Sequence, residues 1–84
     1  MFYVYLLKSQ KDSNMYIGST NDLDRRINEH NSGKVSSTKN RFPFDLIYYE
    51  AYKAEGDARN REKQLKLRSK AYSQLKKRIE ESIK

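Results

Sequence analysis

Two tyrosines on neighbouring short runs, Tyr5 in FYVYLL and Tyr16 in MYIGST, precede the pair Arg25-Arg26 and the only histidine of the chain, His30. Phenols and an imidazole hold or move protons. A guanidinium presents a planar donor fork matched to two phosphate oxygens, which a lysine cannot mimic. These side chains can meet on one surface if the segments carrying them fold back on each other, and the rest of the chain must then supply whatever else that surface needs.

The elements that would position them follow from periodicity. In the first run Phe2, Val4 and Leu6 share one face, while Tyr3, Tyr5 and Leu7 share the other. Both faces are apolar or amphipathic, so this strand is expected to be central and covered on both sides. Lys11-Asp12-Ser13-Asn14 is turn-prone, and the second run is expected to pair back as an antiparallel hairpin. Gly18 inside that strand is costly unless something approaches the backbone closely there.

Asn21 or Asp22 can cap a helix whose buried stripe is marked by Leu23 and Ile27. At 100° per residue His30 lies about 20° from Leu23 and Arg26 about 60° from it on the same flank, whereas Arg25 lies on the far side. Arg26 and His30 are also i, i+4 neighbours. Gly33 stops the helix, and Ser32 to Pro43 reads as a loop.

FDLIYYEAY is a third strand, with Phe44, Leu46 and Tyr48 expected opposite Asp45, Ile47 and Tyr49. From Ala54 the period is helical. Ala58 and Leu65 form the stripe, Glu62 sits on its shoulder, and Gly56 weakens the first turn. After a break near Ser69-Lys70, a last amphipathic helix carries Ala71, Tyr72, Leu75 and Ile79, with Leu67 expected to pack against it. The result is one domain over residues 1–84 of α+β class, a three-stranded antiparallel sheet with flanking helices in the order ββαβαα.

Composition narrows the function. Hydrophobic residues make up 36% and charged residues 35% of the 84 positions, which implies a thin core that buries only ~60% of the unfolded surface. Eighteen Lys and Arg against eleven Asp and Glu leave +7, an excess that points to a polyanion, nucleic acid before an anionic membrane. Attachment to a membrane surface would need a strongly apolar face opposite the basic one, and none is present. The absence of Cys excludes disulfides and thiolate metal sites. No apolar run approaches the ~20 residues that span a bilayer, and no secretory leader is visible, so a cytoplasmic protein is expected.

Tyr3-Val4-Tyr5, Tyr16-Ile17-Gly18, then Arg26, His30 and Glu62 resemble the signature of the GIY-YIG nuclease superfamily, closest to its small stand-alone bacterial branch. The likeness runs from Phe2 to about Leu67, with Tyr3 where the name-giving glycine would stand. The asparagine that some homing and restriction members add after the metal glutamate has no counterpart placed here. The resemblance implies a DNA endonuclease dependent on Mg²⁺ or Mn²⁺. Tyr5 and Tyr16 would be the active-site tyrosines, Arg26 would hold the scissile phosphate, His30 would support a tyrosine, and Glu62 would bind the metal.

A tyrosine of reference pKa ~10 can serve as base only if its neighbours lower it. Arg26, the metal and His30 are expected to do so. The base is assigned to Tyr5, with Tyr16 positioning water or phosphate, and the two are exchangeable at this stage.

Nine of the basic residues lie between Arg59 and Arg78, Arg68 among them. The residues expected to contact nucleic acid are Lys34, Lys39 and Arg41 on the loop with Arg59, Lys63 and Lys66 on the second helix. Such contacts give affinity without sequence readout. The expected substrate is therefore branched, nicked or single-stranded DNA, in repair or recombination, with a partner protein or a homodimer as further requirements to test. The alternative is a nucleic-acid-binding module with little or no catalysis that lends its surface to a partner enzyme.

Overall fold

The two apolar faces of the first strand are both covered. In the structure, a computed structural model that describes residues 1–67 and 70–84, β1 (Phe2–Ser9) lies between β2 (Met15–Thr20) and β3 (Phe44–Tyr52) and is antiparallel to each. Among the described residues four helices complete the fold: α1 (Leu23–Asn31), α2 (Glu55–Lys66), α3 (Lys70–Arg78) and the one-turn α4 (Glu80–Ile83). The expected α+β sheet with flanking helices is thus found. The single last helix expected through Ile79 is instead two: α3 ends at Arg78, and buried Ile79 leads into the one-turn α4. Arg68 and Ser69, with the break expected there, lie outside the described residues.

The sheet divides the core in two. On one side Val4, Leu6 and Ile17 pack with Ala58 and Leu65 of α2, Tyr72 and Leu75 of α3, and Ile79. On the other, Tyr5, Leu7 and Phe44 pack with Tyr16 and with Leu23 and Ile27 of α1. Among the described residues no helix is long and apolar enough to cross a membrane.

The alternation expected for β3 fails at one point. Leu7 pairs with Leu46 and Leu6 with Tyr48, which leaves Ile47 as an extra residue in a β-bulge. Phe44 therefore faces α1, while Ile47, Tyr48 and Tyr52 pack on the α2 side. Leu67 also departs from expectation: at the C-terminal end of α2 it stands exposed instead of packing on the last helix.

Local signals account for the rest. Asp22 caps α1 by accepting the Arg25 N–H at 3.1 Å. Gly33, at φ +75°, ends the helix in a left-handed conformation, with the Lys34 N–H donating back to the Glu29 carbonyl. The Asn31 side chain then bonds both the N–H and the C=O of Phe44. The Ser9 hydroxyl donates to the Arg41 carbonyl. These clamps fold the 32–43 loop back against the end of α1, with Val35 and Thr38 buried beneath it.

Candidate functional site

The site is built at the free edge of β2, and Gly18 makes it possible. Tyr5 and Gly18 are cross-strand partners, so the Tyr5 ring lies across β2 where that strand has no side chain. A Cβ at Gly18 would sit 2.6 Å from Tyr5 Cζ and overlap the hydroxyl. This is the close approach that a glycine in mid-strand led us to expect.

The Tyr5 hydroxyl ends 2.8 Å from His30 Nε2, and His30 Nδ1 lies 2.8 Å from the Thr38 hydroxyl. Tyr16 stands edge-on to the same imidazole, with ring centroids 5.0 Å apart. His30 is fully buried. Burial and the nearby Arg26 charge push it down to about 4, against which Glu29 pulls more weakly, so the ring is neutral at physiological pH. A neutral imidazole donates through one nitrogen and accepts at the other. It can therefore accept the Tyr5 proton at Nε2 only while Nδ1–H donates to Thr38.

Arg26 projects from α1 beside the Tyr5 hydroxyl. One of its nitrogens donates to Glu29 at 3.1 Å, and about a third of its side chain is exposed. Arg25 points more to solvent, as its helical angle requires. The environment of Tyr5 is not the one expected. Burial pushes it up to about 12, and although Arg26 pulls it down, Tyr16 and the Glu62 charge oppose that pull. Arg26 acts in the expected direction, but among the chain's own groups desolvation outweighs the guanidinium, so they do not lower Tyr5.

Glu62 reaches the same edge from α2, on the opposite layer. It accepts the Ser19 hydroxyl at 2.6 Å on Oε1 and the Lys66 ammonium at 2.6 Å on Oε2. Burial pushes its carboxyl up, but Lys66, Ser19 and Arg59 together hold it below the usual carboxylate range. Tyr16 and Lys66 line one shallow hollow. Tyr5, Tyr16, Arg26 and His30 thus gather on the α1 face beside β2, while Glu62 stands on the α2 face of the same strand, near enough for its charge to act on Tyr5.

This donor set fits one kind of metal. Glu62 is ionised and already faces a cation, the Lys66 ammonium, which an incoming ion would displace. Among the described residues no three His, Cys, Asp or Glu cluster together. A tetrahedral zinc site, with its three or four protein ligands, is not served. An ion of the Mg²⁺ class, which keeps several waters and takes one or two carboxylates with substrate oxygens, is.

The basic residues divide. Lys34, Lys39 and Lys63 are exposed. Arg59 is exposed and paired with Glu55 at 3.1 Å. Lys66 is taken up by Glu62. Arg41 pairs with Asp12 at 3.1 Å and lies over the Phe44 ring, where it joins the loop to the β1–β2 turn. Sequence reasoning missed Thr38 and Ser19. A threonine eight residues beyond His30 on a loop carries no periodic signal, and Ser19 was visible only as the residue after Gly18.

Comparison with known proteins gives a consistent result. Residues 1–78 match the GIY-YIG catalytic domain. The UPF0213 protein SH2523 of Staphylococcus haemolyticus is 40% identical over 80 residues, 94% of each chain. The UPF0213 protein CPE1444 of Clostridium perfringens is 42% identical over 67 residues, 79% of this chain and 71% of that one. The solution structure of the UPF0213 protein BH0048 from Bacillus halodurans is 36% identical to this chain. It superimposes with a TM-score of 0.55, covering 89% of this chain and 81% of the other.

Proposed function

The chain belongs to the GIY-YIG family, a nuclease superfamily, and from that membership we propose that it is a divalent-metal-dependent DNA endonuclease, selective for structure rather than sequence. The observation that carries this reading is the convergence on one phenol: the Tyr5 hydroxyl is hydrogen-bonded to His30 while Arg26 and Glu62 act on it from two different layers.

In this reading Arg26 takes the scissile phosphate, exchanging part of its contact with Glu29 for two phosphate oxygens. Glu62 and the Ser19 hydroxyl would hold Mg²⁺ or Mn²⁺. When bound, the ion would polarise the phosphate and stabilise the departing alkoxide. Tyr5 is 1% exposed, and the chain's own groups push it up to about 12, at which it is ionised in only about one molecule in 10⁴ at pH 8. We therefore exchange the two tyrosines. Half-buried Tyr16 meets the attacking water, and Tyr5, fixed by His30 and Thr38, positions Arg26 and the Tyr16 ring.

The test is nicking of plasmid, branched and single-stranded DNA with Mg²⁺ or Mn²⁺. Glu62→Ala should abolish it, Arg26→Ala should lower it by about 10²–10³-fold, and Tyr5→Phe should weaken it. Activity that survives all three changes would overturn the assignment. The Lys66 ammonium on Glu62 and the raised Tyr5 favour a second reading, a binding module that acts with a partner enzyme. It predicts salt-sensitive DNA binding unchanged by Glu62→Ala and no cleavage with either metal.

A further inference from the structure

A groove of about 300 Å³ opens beside the site, between the start of α1 and the start of α2. Its charged lining consists of Arg25, Arg26, Arg59 and Glu55, with Ser19 and Asn21 adding polar groups. Arg26 and Ser19 also belong to the site around Tyr5, so groove and site share a wall.

Three guanidinium groups against one carboxylate make this groove an anion site. The internal partners of Arg25 and Arg59 are exposed ones. Arg25 is 3.8 Å from Asp22 and 3.9 Å from Glu29, and its Nη2 donates to the Asn21 side-chain oxygen at 3.2 Å. Arg59 meets Glu55 at 3.1 Å, but that pair is 71% and 54% exposed. Surface pairs of this kind contribute little, so phosphate oxygens can take over their donors. A guanidinium fork takes two oxygens of a phosphate or of a carboxylate alike; the phosphodiester is favoured here because the net charge of +7 points to a nucleic-acid polyanion.

We propose that this groove is a second phosphate subsite, in which Arg25 and Arg59 hold the phosphodiester that neighbours the one on Arg26. The placement of the reacting phosphate on Arg26 rests on the nuclease reading; the groove and its ligand chemistry do not. The strand then runs across the α1–α2 cleft. It does not run over the 32–43 loop, where Arg41 is already committed to Asp12 and Phe44. Arg25, which the helical angle assigned to solvent, thereby acquires a role.

The experiment measures binding of a short fluorescent single-stranded oligonucleotide to the full chain in EDTA, as a function of salt. Each lost phosphate contact lowers the log–log salt slope by ~0.7 on single strands. Arg25→Gln with Arg59→Gln should therefore flatten the slope by about 1.4. Between 50 and 200 mM salt the wild-type protein should lose about sevenfold more affinity than this double variant. Lys34→Gln with Lys39→Gln, which tests the loop as the competing track, should change the slope by less than half as much. An unchanged slope in the arginine variant, or a larger change in the loop variant, would overturn the proposal. Thermal melts confirm folding of both variants, whose altered residues are exposed. Absence of cleavage with any divalent metal, alongside the predicted slopes, would remove the nuclease reading and support the groove as a phosphate site in its own right.

Discussion

Arg61 and Glu62 are consecutive on α2 and serve two different clusters of the same residue types. Arg61 donates from Nε and Nη2 to the two oxygens of Glu50, each at 2.9 Å. The hydroxyls of Tyr48 and Tyr52 donate to the same carboxylate. Burial raises the Glu50 carboxyl, but Arg61 and the two phenols hold it below the usual range. Burial, with the bond to Glu50, pushes both phenols up to about 12. The acceptors of that cluster are filled from within, and it braces α2 against β3. Around Glu62 the partners are a hydroxyl and a half-exposed lysine, and Arg26, a third exposed, meets one oxygen of Glu29 and the Tyr5 hydroxyl, which leaves part of its fork open. Carboxylate, guanidinium and phenol do not by themselves distinguish bracing from binding. The distinction is whether the chain itself closes their hydrogen-bonding capacity.

The sharpest way to break this contrast is to cut each cluster once. Glu50→Ala should cost about 3 kcal/mol in urea unfolding. That is the lower end for a broken buried pair, because Arg61 keeps about a quarter of its side chain in water. The folded fraction should nick DNA as the wild type does. Arg26→Ala should do the reverse, lowering nicking by about 10²–10³-fold with little change in the unfolding midpoint. Loss of nicking in folded Glu50→Ala, or unfolding by Arg26→Ala, would erase the distinction.

Next in size is the buried imidazole. His30 titrates near 4 in the folded chain against 6.5 for the free side chain, so the unfolded state binds more protons between those values. Its contribution is fully present above pH 6.5, declines as pH falls, and levels off below about 4, a loss of about 3 kcal/mol. Urea unfolding across that window checks it, and His30→Gln should flatten the dependence. Gly18→Ala comes third. The added methyl overlaps the Tyr5 hydroxyl and should cost about 1–3 kcal/mol by overpacking, with nicking reduced as Tyr5 shifts. Lys66→Met is smallest. Removing an exposed competitor worth at most ~1 kcal/mol should raise Mn²⁺ affinity by no more than about fivefold in a calorimetric titration.

Much of this was legible in the chain. Period-two runs around Tyr5 and Tyr16 gave the hairpin, and helical angles separated Arg26 from Arg25 and put Glu62 on the shoulder of α2. Gly18 announced a close approach because a glycine in mid-strand needs a reason. The bulge at Ile47 was not legible, because a single inserted residue leaves no mark in an apolar strand, and it sends Phe44 and Tyr48 to opposite faces. Thr38 reaches His30 only through the clamps on the loop. The balance of the chain's own groups on Tyr5 was not legible for a physical reason: sequence shows which charges are near, but the depth of burial decides between them.

The most direct test is a titration with Mn²⁺ followed by paramagnetic broadening of backbone amides. The site at the β2 edge predicts that Gly18, Ser19 and Glu62 broaden first while Glu50 and Tyr52 stay sharp, and that Glu62→Gln removes the effect. Broadening centred on other carboxylates, or unchanged by Glu62→Gln, would contradict the account.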